Sequence, residues 1–398
     1  MKYIIVLGDG MADEPIQELD NKTPLEYAET PTMDELAKVS EIGLAHIIPE
    51  GMSPGSDTAN LAVLGYDPKK YYTGRSPLEA LSIGVDMKAT DTALRCNIVT
   101  LTEEEAYEDK RILDHSASEI STEEASVLIE AVRKEFENEI YKFYVGTSYR
   151  HLTIWENGQV VPLTPPHDIL DKVIKDFLPT DNVLKDMMEK SFEILNNHPI
   201  NVKRKEQGLN KANSIWFWGA GTRPALDSFE DKNKKTGAMI SAVDLLKGIA
   251  VGADMKVIQV EGANGTLHTN YEGKADAAVK VLLEDGYDFV YVHVEAPDEM
   301  GHQGNLQNKI KAIEYLDRKV IQRIKDKMDE SGAEYKMLTL PDHPTPIHCR
   351  THTSDPVPYM LYDSTNRLDQ QWHYNESEAK DSGNYIDDGY TLINKLFL

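Results

Sequence analysis

MKYIIVLGDGMAD, residues 1–13, opens with an apolar run and ends it abruptly on an acid between two glycines. Residues 3–7 are continuously apolar and partly β-branched, and Gly8-Asp9-Gly10 breaks them off. An unbroken apolar run, in place of alternation, predicts a strand buried on both faces of a parallel sheet. Similar runs recur at 256–260, 289–294 and 336–340. Helical periods lie between them, at 33–39, 58–64, 241–249, 274–283 and 307–328. In the last, Ile310, Ile313, Leu316, Val320, Ile321, Ile324 and Met328 make one stripe. Strands alternating with helices predict an α/β sheet with helices on both faces. From about residue 90 the texture changes. Charged stretches appear at 102–110 and 135–139, and Ser121-x-x-Glu124 reads as a capping box opening an amphipathic helix. Short strands follow at 140–145 and 149–155. The expectation is one α/β core built from residues 1–90 and 237–398, interrupted by a smaller inserted α+β cap domain at 91–236.

At 398 residues the chain exceeds the size of a single core, and 40% hydrophobic content suffices for two. A net charge of −25 argues against nucleic acid and against anionic membrane as partners. Any anionic substrate would need positive charge concentrated inside this negative body, and metal ions do that compactly. Cys96 and Cys349 are the only cysteines, so no disulfide framework is implied. The apolar run at the N-terminus is too short for a signal peptide, and no stretch is long enough to span a bilayer. The expected location is therefore the cytoplasm.

Ligands of open α/β sheets bind beyond the carboxyl ends of the strands, and the unusual residues fall there. The first strand ends in Asp9. The strand at 289–294 runs into Glu295-Ala-Pro-Asp298-Glu-Met-Gly-His302, and the one at 336–340 into Pro341-Asp342-His343, with Thr351-His352-Thr353 beyond. Ser56, in Ser-Pro-Gly-Ser, is placed where a loop enters a helix. Taken singly, each is an ordinary turn or cap residue. Independent caps have no reason to gather carboxylates and imidazoles at one edge of one sheet. The donor set is oxygen and nitrogen without sulfur, which suits Mn²⁺, Zn²⁺, Co²⁺ or Mg²⁺.

These residues carry a resemblance. LGDGMAD, PGSDTANLAVLGYDP, PDEMGH and DHPTPIHCRTHTSDPVP are similar to the alkaline phosphatase superfamily, and more narrowly to the cofactor-independent phosphoglycerate mutases of archaeal type. The likeness extends to the cap motifs YRHL and IWFWGAGTRP. It implies an alkaline-phosphatase-like sheet and two divalent metal ions, manganese first among them. One ion would be held by Asp298, His302 and His352, the other by Asp9, Asp342, His343 and the oxygen of Ser56. It implies that Ser56 takes the phosphoryl group of 3-phosphoglycerate and returns it to the 2-hydroxyl, with the cap excluding water. Arg150 and Arg223 match basic positions of the family pattern and would bind the substrate's carboxylate and phosphate, with Lys247 a further phosphate contact. His167-Asp168 and Asp114-His115 are candidates for the groups that shuttle protons on the glycerate hydroxyls, and Arg75 for a brace on the Ser56 loop. Asn60 stands where many relatives have His. The stretch DHPTPIHCRTHTSDPVP also resembles relatives labelled as proposed homoserine kinases, so transfer to homoserine is the alternative, with a plain phosphatase as a third reading. No Walker A or kinase glycine-rich loop is present.

Overall fold

A computed structural model describes residues 1–103 and 106–398. Glu104 and Glu105, inside the charged 102–110 stretch, lie outside the described residues. The chain divides into two compact units, Met1–Tyr72 with Leu226–Leu398, and Thr73–Ala225. The boundaries thus fall at 72/73 and 225/226, where the change of texture suggested 90/91 and 236/237. The first of these shifts follows from the helix Arg75–Ser82, which packs on the sheet of the second unit. Its Ser76 hydroxyl donates to the Gly219 carbonyl, and its Glu79 pairs with Arg95.

The first unit is α/β. Its sheet runs in the order Tyr385–Ile386, Glu41–Ala45, Val357–Asp363, Tyr335–Leu340, Lys2–Gly8, Phe289–Val294, Gly237–Ile240, Lys256–Ile258. Val357–Asp363 is antiparallel to both neighbours and every other pairing is parallel. Lys2–Gly8 is buried on both faces, as its unbroken apolar run predicts. Ile4 and Val6 pack with Met33, Ala278 and Ile313 from the helices Pro31–Ala37, Tyr271–Leu283 and Leu306–Tyr315. On the other face the Phe289 ring lies 4.8 Å from Phe229 and 5.7 Å from Phe397 of the helix Leu392–Phe397.

Register sets up the site. Leu7 lies opposite Leu340 and Gly8 opposite Val294, so three parallel strands end level with one another. Asp9, Glu295 and Pro341-Asp342 therefore leave the sheet side by side. The expected 307–328 helix is a continuous helical run with a π-helical segment, Leu316–Ile321, between Leu306–Tyr315 and Gln322–Ser331. Asp317, inside that segment, accepts the backbone N–H groups of Thr32 (3.2 Å) and Met33 (2.7 Å). The expected strand at 256–260 shortens to Lys256–Ile258, and the expected helix at 241–249 moves three residues on, to Asp244–Gly252, which leaves Ser241 in the loop before it.

The second unit is an α+β body with an entirely antiparallel sheet of Ile112–Asp114, Thr92–Leu101, Arg150–Trp155, Tyr141–Thr147 and Ser214–Thr222. The helices Thr122–Phe136 and Asn182–Leu195 supply Leu128, Ile129 and Met188 to its core. Ser121 caps the first of them, accepting from Glu124 N at 3.2 Å. The reciprocal half of the capping box is replaced, because the Glu124 carboxylate turns to the buried Arg204. Among the described residues no helix is long and apolar enough to cross a membrane.

Candidate metal centre and nucleophile

All seven residues singled out at the strand ends belong to the first unit. Asp298 and His302 sit four apart in the helix Ala296–His302, which puts both on one face. His302 Nε2 lies 3.2 Å from Asp298 Oδ2, His352 Nε2 lies 3.3 Å from Asp298 Oδ1, and the two Nε2 atoms are 2.9 Å apart. The His343 and His352 rings face each other at 4.0 Å between centroids. His343 Nε2 is 3.5 Å from Asp9 Oδ1 and 3.4 Å from Asp342 Oδ2. Two donor groups converge in this way, Asp298 with His343 and His352, and Asp9 with Asp342 and His343. His343 belongs to both. His302 borders the first group through the contacts just given.

Neighbours orient each donor. His302 Nδ1 donates to the Arg350 carbonyl at 2.9 Å and His343 Nδ1 to the Pro344 carbonyl at 3.3 Å, so in both rings Nε2 is the nitrogen turned toward the cluster. Asp342 Oδ1 accepts from the N–H groups of Gly10 (3.1 Å) and His343 (3.0 Å), and its Oδ2 from Asn60 Nδ2 (2.9 Å). Asn60 also donates to the Ser56 carbonyl at 2.8 Å and accepts from the Tyr291 hydroxyl at 2.5 Å. The departure noted at Asn60 is thus a neutral amide joining the nucleophile loop to Asp342. Thr345 Oγ1 donates to Asp298 Oδ1 at 2.5 Å. Gly10 is required where it stands. Its φ is +59°, and a Cβ there would lie 2.6 Å from Asp298 Oδ1.

Ser56 is the first residue of the helix Ser56–Val63, and Gly55 precedes it in extended conformation. Its Oγ stands 3.3 Å from His343 Nε2. The nucleophile candidate thus meets the imidazole shared by both donor groups.

The electrostatics call for cations. Burial, with the facing carboxylates of Asp342 and Asp298, pushes Asp9 well above the usual carboxylate range. Asp9 Oδ1 is buried without a hydrogen-bond partner. A buried oxygen of this kind, beside imidazole lone pairs and further carboxylates and with no sulfur donor, fits hard or borderline divalent ions. Burial holds His343 and His293 below the ordinary imidazole value. The Asp298 carboxylate instead raises His302 to about 9, so at neutral pH the metal-free pair carries a proton.

That proton sets a pH dependence. The His302–Asp298 attraction stabilises the metal-free fold fully below pH 6.5 and fades as pH rises through about 9. A cation displaces the proton, so its affinity should rise by up to about tenfold per pH unit until about pH 9 and level off above it. Calorimetric titration with Mn²⁺ at pH 7.5, in buffers of different ionisation enthalpy, should show about one proton released. Buffer-independent heats would remove the shared proton.

The other candidates are placed as follows. Lys247 Nζ pairs with Asp244 Oδ1 at 3.1 Å within its own helix. Arg150, Arg223, His167 and Asp168 lie in the second unit and are exposed. Arg150 lies over the Tyr149 ring, and Arg223 donates to the Met87 carbonyl at 3.1 Å. His167 sits edge-on to Trp218 at 5.3 Å and 6.1 Å from the His115 ring, while its Nε2 is 3.7 Å from Asp168. Arg75 pairs with Glu79 on its own helix. Sequence reasoning missed His293, Thr345, Ser241 and Lys309. The only signal for His293 was an imidazole inside a run otherwise apolar.

A family profile described as 2,3-bisphosphoglycerate-independent phosphoglycerate mutase matches residues 37–201. A Methanosarcina barkeri protein of the same description is 49% identical over 387 residues, covering 96% of this chain and 95% of the relative. A solved structure of a Pyrococcus horikoshii protein superposes with a TM-score of 0.84 at 31% identity, covering 99% of this chain and 96% of that one. The cofactor-independent phosphoglycerate mutase of Thermoplasma acidophilum gives a TM-score of 0.68 at 27% identity, over 100% and 99% of the two chains.

Proposed function

The chain belongs to the 2,3-bisphosphoglycerate-independent phosphoglycerate mutase family, and from that premise we propose that it interconverts 3-phosphoglycerate and 2-phosphoglycerate through a phosphoserine at Ser56. One observation carries the covalent route. Ser56 Oγ lies 3.3 Å from His343 Nε2, at the junction of two buried carboxylate–imidazole groups.

We assign one divalent ion to Asp298, His302 and His352, and a second to Asp9, Asp342, His343 and Ser56, with His343 common to both converging donor groups. When bound, such ions favour the ionised serine and offset the charge of the transferring phosphoryl group. The chain's own residues supply the rest. Ser56 Oγ gives up its proton and attacks phosphorus, the bond from phosphorus to the 3-oxygen of the substrate breaks, and that oxygen takes up a proton to become the hydroxyl of glycerate. The phosphoserine then stands on the first residue of a helix, where backbone N–H groups and the helix dipole favour an anion. Glycerate turns, its 2-oxygen attacks the same phosphorus, and Ser56 is restored.

Binding of the substrate's carboxylate and phosphate is assigned to the exposed guanidinium groups of Arg150 and Arg223, with Lys247 contributing from the first unit. His167 with Asp168 is assigned the proton traffic on the glycerate hydroxyls. Water must be kept from the phosphoserine, since its hydrolysis would make the protein a phosphatase. Manganese as the preferred ion and the cytoplasm as location belong to the same proposal. Nothing found favours homoserine as acceptor.

The test is incubation of Mn²⁺-loaded protein with 3-phosphoglycerate, without added bisphosphoglycerate, coupled to enolase. We expect 2-phosphoglycerate to form, and to stop forming in chelator. Free phosphate as the main product would replace the mutase with a phosphatase. Turnover confined to homoserine and ATP would replace it with a kinase.

A further inference from the structure

We infer that His293 is a positioning residue for Asp9, the last link of a buried chain of hydrogen bonds that leaves Asp9 a single oxygen for a cation. The inference rests on the metal-centre reading above and deepens it. His293 lies in the strand Phe289–Val294 and is fully buried. The backbone N–H of Val243 donates to Ser241 Oγ at 3.0 Å. Ser241 Oγ is 3.2 Å from His293 Nδ1, and His293 Nε2 is 2.9 Å from Asp9 Oδ2.

The direction of every bond follows from the two ends. A backbone N–H only donates, and Asp9 in the ionised state that holds a cation only accepts. Ser241, having accepted from Val243, gives its own proton to Nδ1. The imidazole therefore carries its proton on Nε2 and donates it to Asp9 Oδ2. One tautomer satisfies the whole chain. The main chain at His293 is held as well, because the buried Lys274 Nζ donates to its carbonyl at 2.8 Å.

The consequence falls on Asp9. With Oδ2 occupied, Oδ1 is the oxygen left with free lone pairs, and it is buried without a hydrogen-bond partner. Outer partners of this kind fix the orientation of a ligand, and losing one lowers metal affinity by about 10–100-fold.

The test is calorimetric titration of Mn²⁺ onto metal-free wild type, His293→Gln, His293→Leu and Ser241→Ala, with thermal midpoints measured alongside. For His293→Leu we expect one of the two binding events to weaken about 10–100-fold and the other to hold. His293→Gln carries an amide N–H toward the same place and should recover most of the loss. Ser241→Ala frees the ring to turn and should weaken the same event by a smaller factor, with an unchanged midpoint. A folded His293→Leu protein with both affinities intact overturns the inference. So does equal weakening of both events with a fallen midpoint, which would mark a structural role alone. Should His293→Leu not fold, Ser241→Ala decides, and wild-type affinity there overturns the inference. A wild type that binds no divalent ion would instead defeat the metal-centre reading itself.

Discussion

Replacing Ser56 with alanine should lower interconversion of the phosphoglycerates by about 10⁴–10⁶-fold, the range seen when a covalent nucleophile or its partner is removed elsewhere. Metal content should stay as it is, since the carboxylates and imidazoles around Ser56 are held by other groups. Asp342 keeps Gly10, His343 and Asn60 as donors, and His343 keeps the Pro344 carbonyl. The fold should tolerate the change. The Ser56 side chain caps nothing, because the helix begins after Gly55, and Asn60 binds Ser56 through its backbone carbonyl. A destabilisation of more than about 0.5 kcal/mol is therefore not expected. Wild type incubated with ³²P-labelled substrate should carry label on the protein, and Ser56→Ala none. Residual turnover above about 1% of wild type would exclude the covalent route.

The ease of finding Ser56 in the sequence, and the difficulty of finding its supports, have a common physical origin. Asp9, Asp298, Asp342 and His343 follow directly on buried strands or on the turns just beyond them. A strand signals itself by an unbroken apolar run, and whatever polar group ends it marks the sheet edge. Parallel pairing then brings the ends together with no further information required. His293 lies inside such a run and was hidden by it. Its function depends on facing Ser241 and Asp9, which only the register of the Gly237–Ile240 and Lys2–Gly8 strands decides. The helical period at 241–249 includes Ser241, whereas its contact with His293 comes from the loop before the helix Asp244–Gly252. The π-helical segment escaped for a similar reason. The stripe from Ile310 to Met328 fits one helix, and the π-helical segment Leu316–Ile321 contains Asp317, whose partners Thr32 and Met33 are remote in sequence. The unit boundary moved because the helix Arg75–Ser82 is tied by Ser76 and Glu79 to strands that follow it in the chain. Local composition carries no trace of those ties.

Lys309 is the other residue whose removal should be costly, and here the loss should fall on stability. It lies in the helix Leu306–Tyr315 with its side chain fully buried. Its Nζ donates to the carbonyls of Ala12 (3.2 Å) and Thr345 (2.9 Å) and to Asp13 Oδ2 (2.7 Å). One ammonium group thus ties the loop that follows Asp9 to the loop that follows His343. Asp13 extends the tie, accepting from Ile347 N at 3.2 Å, while its own N–H donates to Glu376 at 3.2 Å. Burial pulls the lysine below its ordinary value, and Asp13 works against that pull. Lys309→Met preserves length and apolar volume but leaves Asp13 as an unpaired buried charge and two carbonyls without their donor. Breaking a buried pair from one side costs about 3–5 kcal/mol, more than the attraction was worth, because the stranded charge has lost its solvent. Urea unfolding followed by a probe in the first unit should register that loss. Lys309→Met combined with Asp13→Asn should recover part of it, since the stranded charge is then gone. The recovery separates a charge penalty from a cavity or a misfolded loop. A single Lys309→Met variant within about 1 kcal/mol of wild type would show that water or a rearranged loop satisfies Asp13, and that the loops after Asp9 and His343 do not depend on this ammonium group.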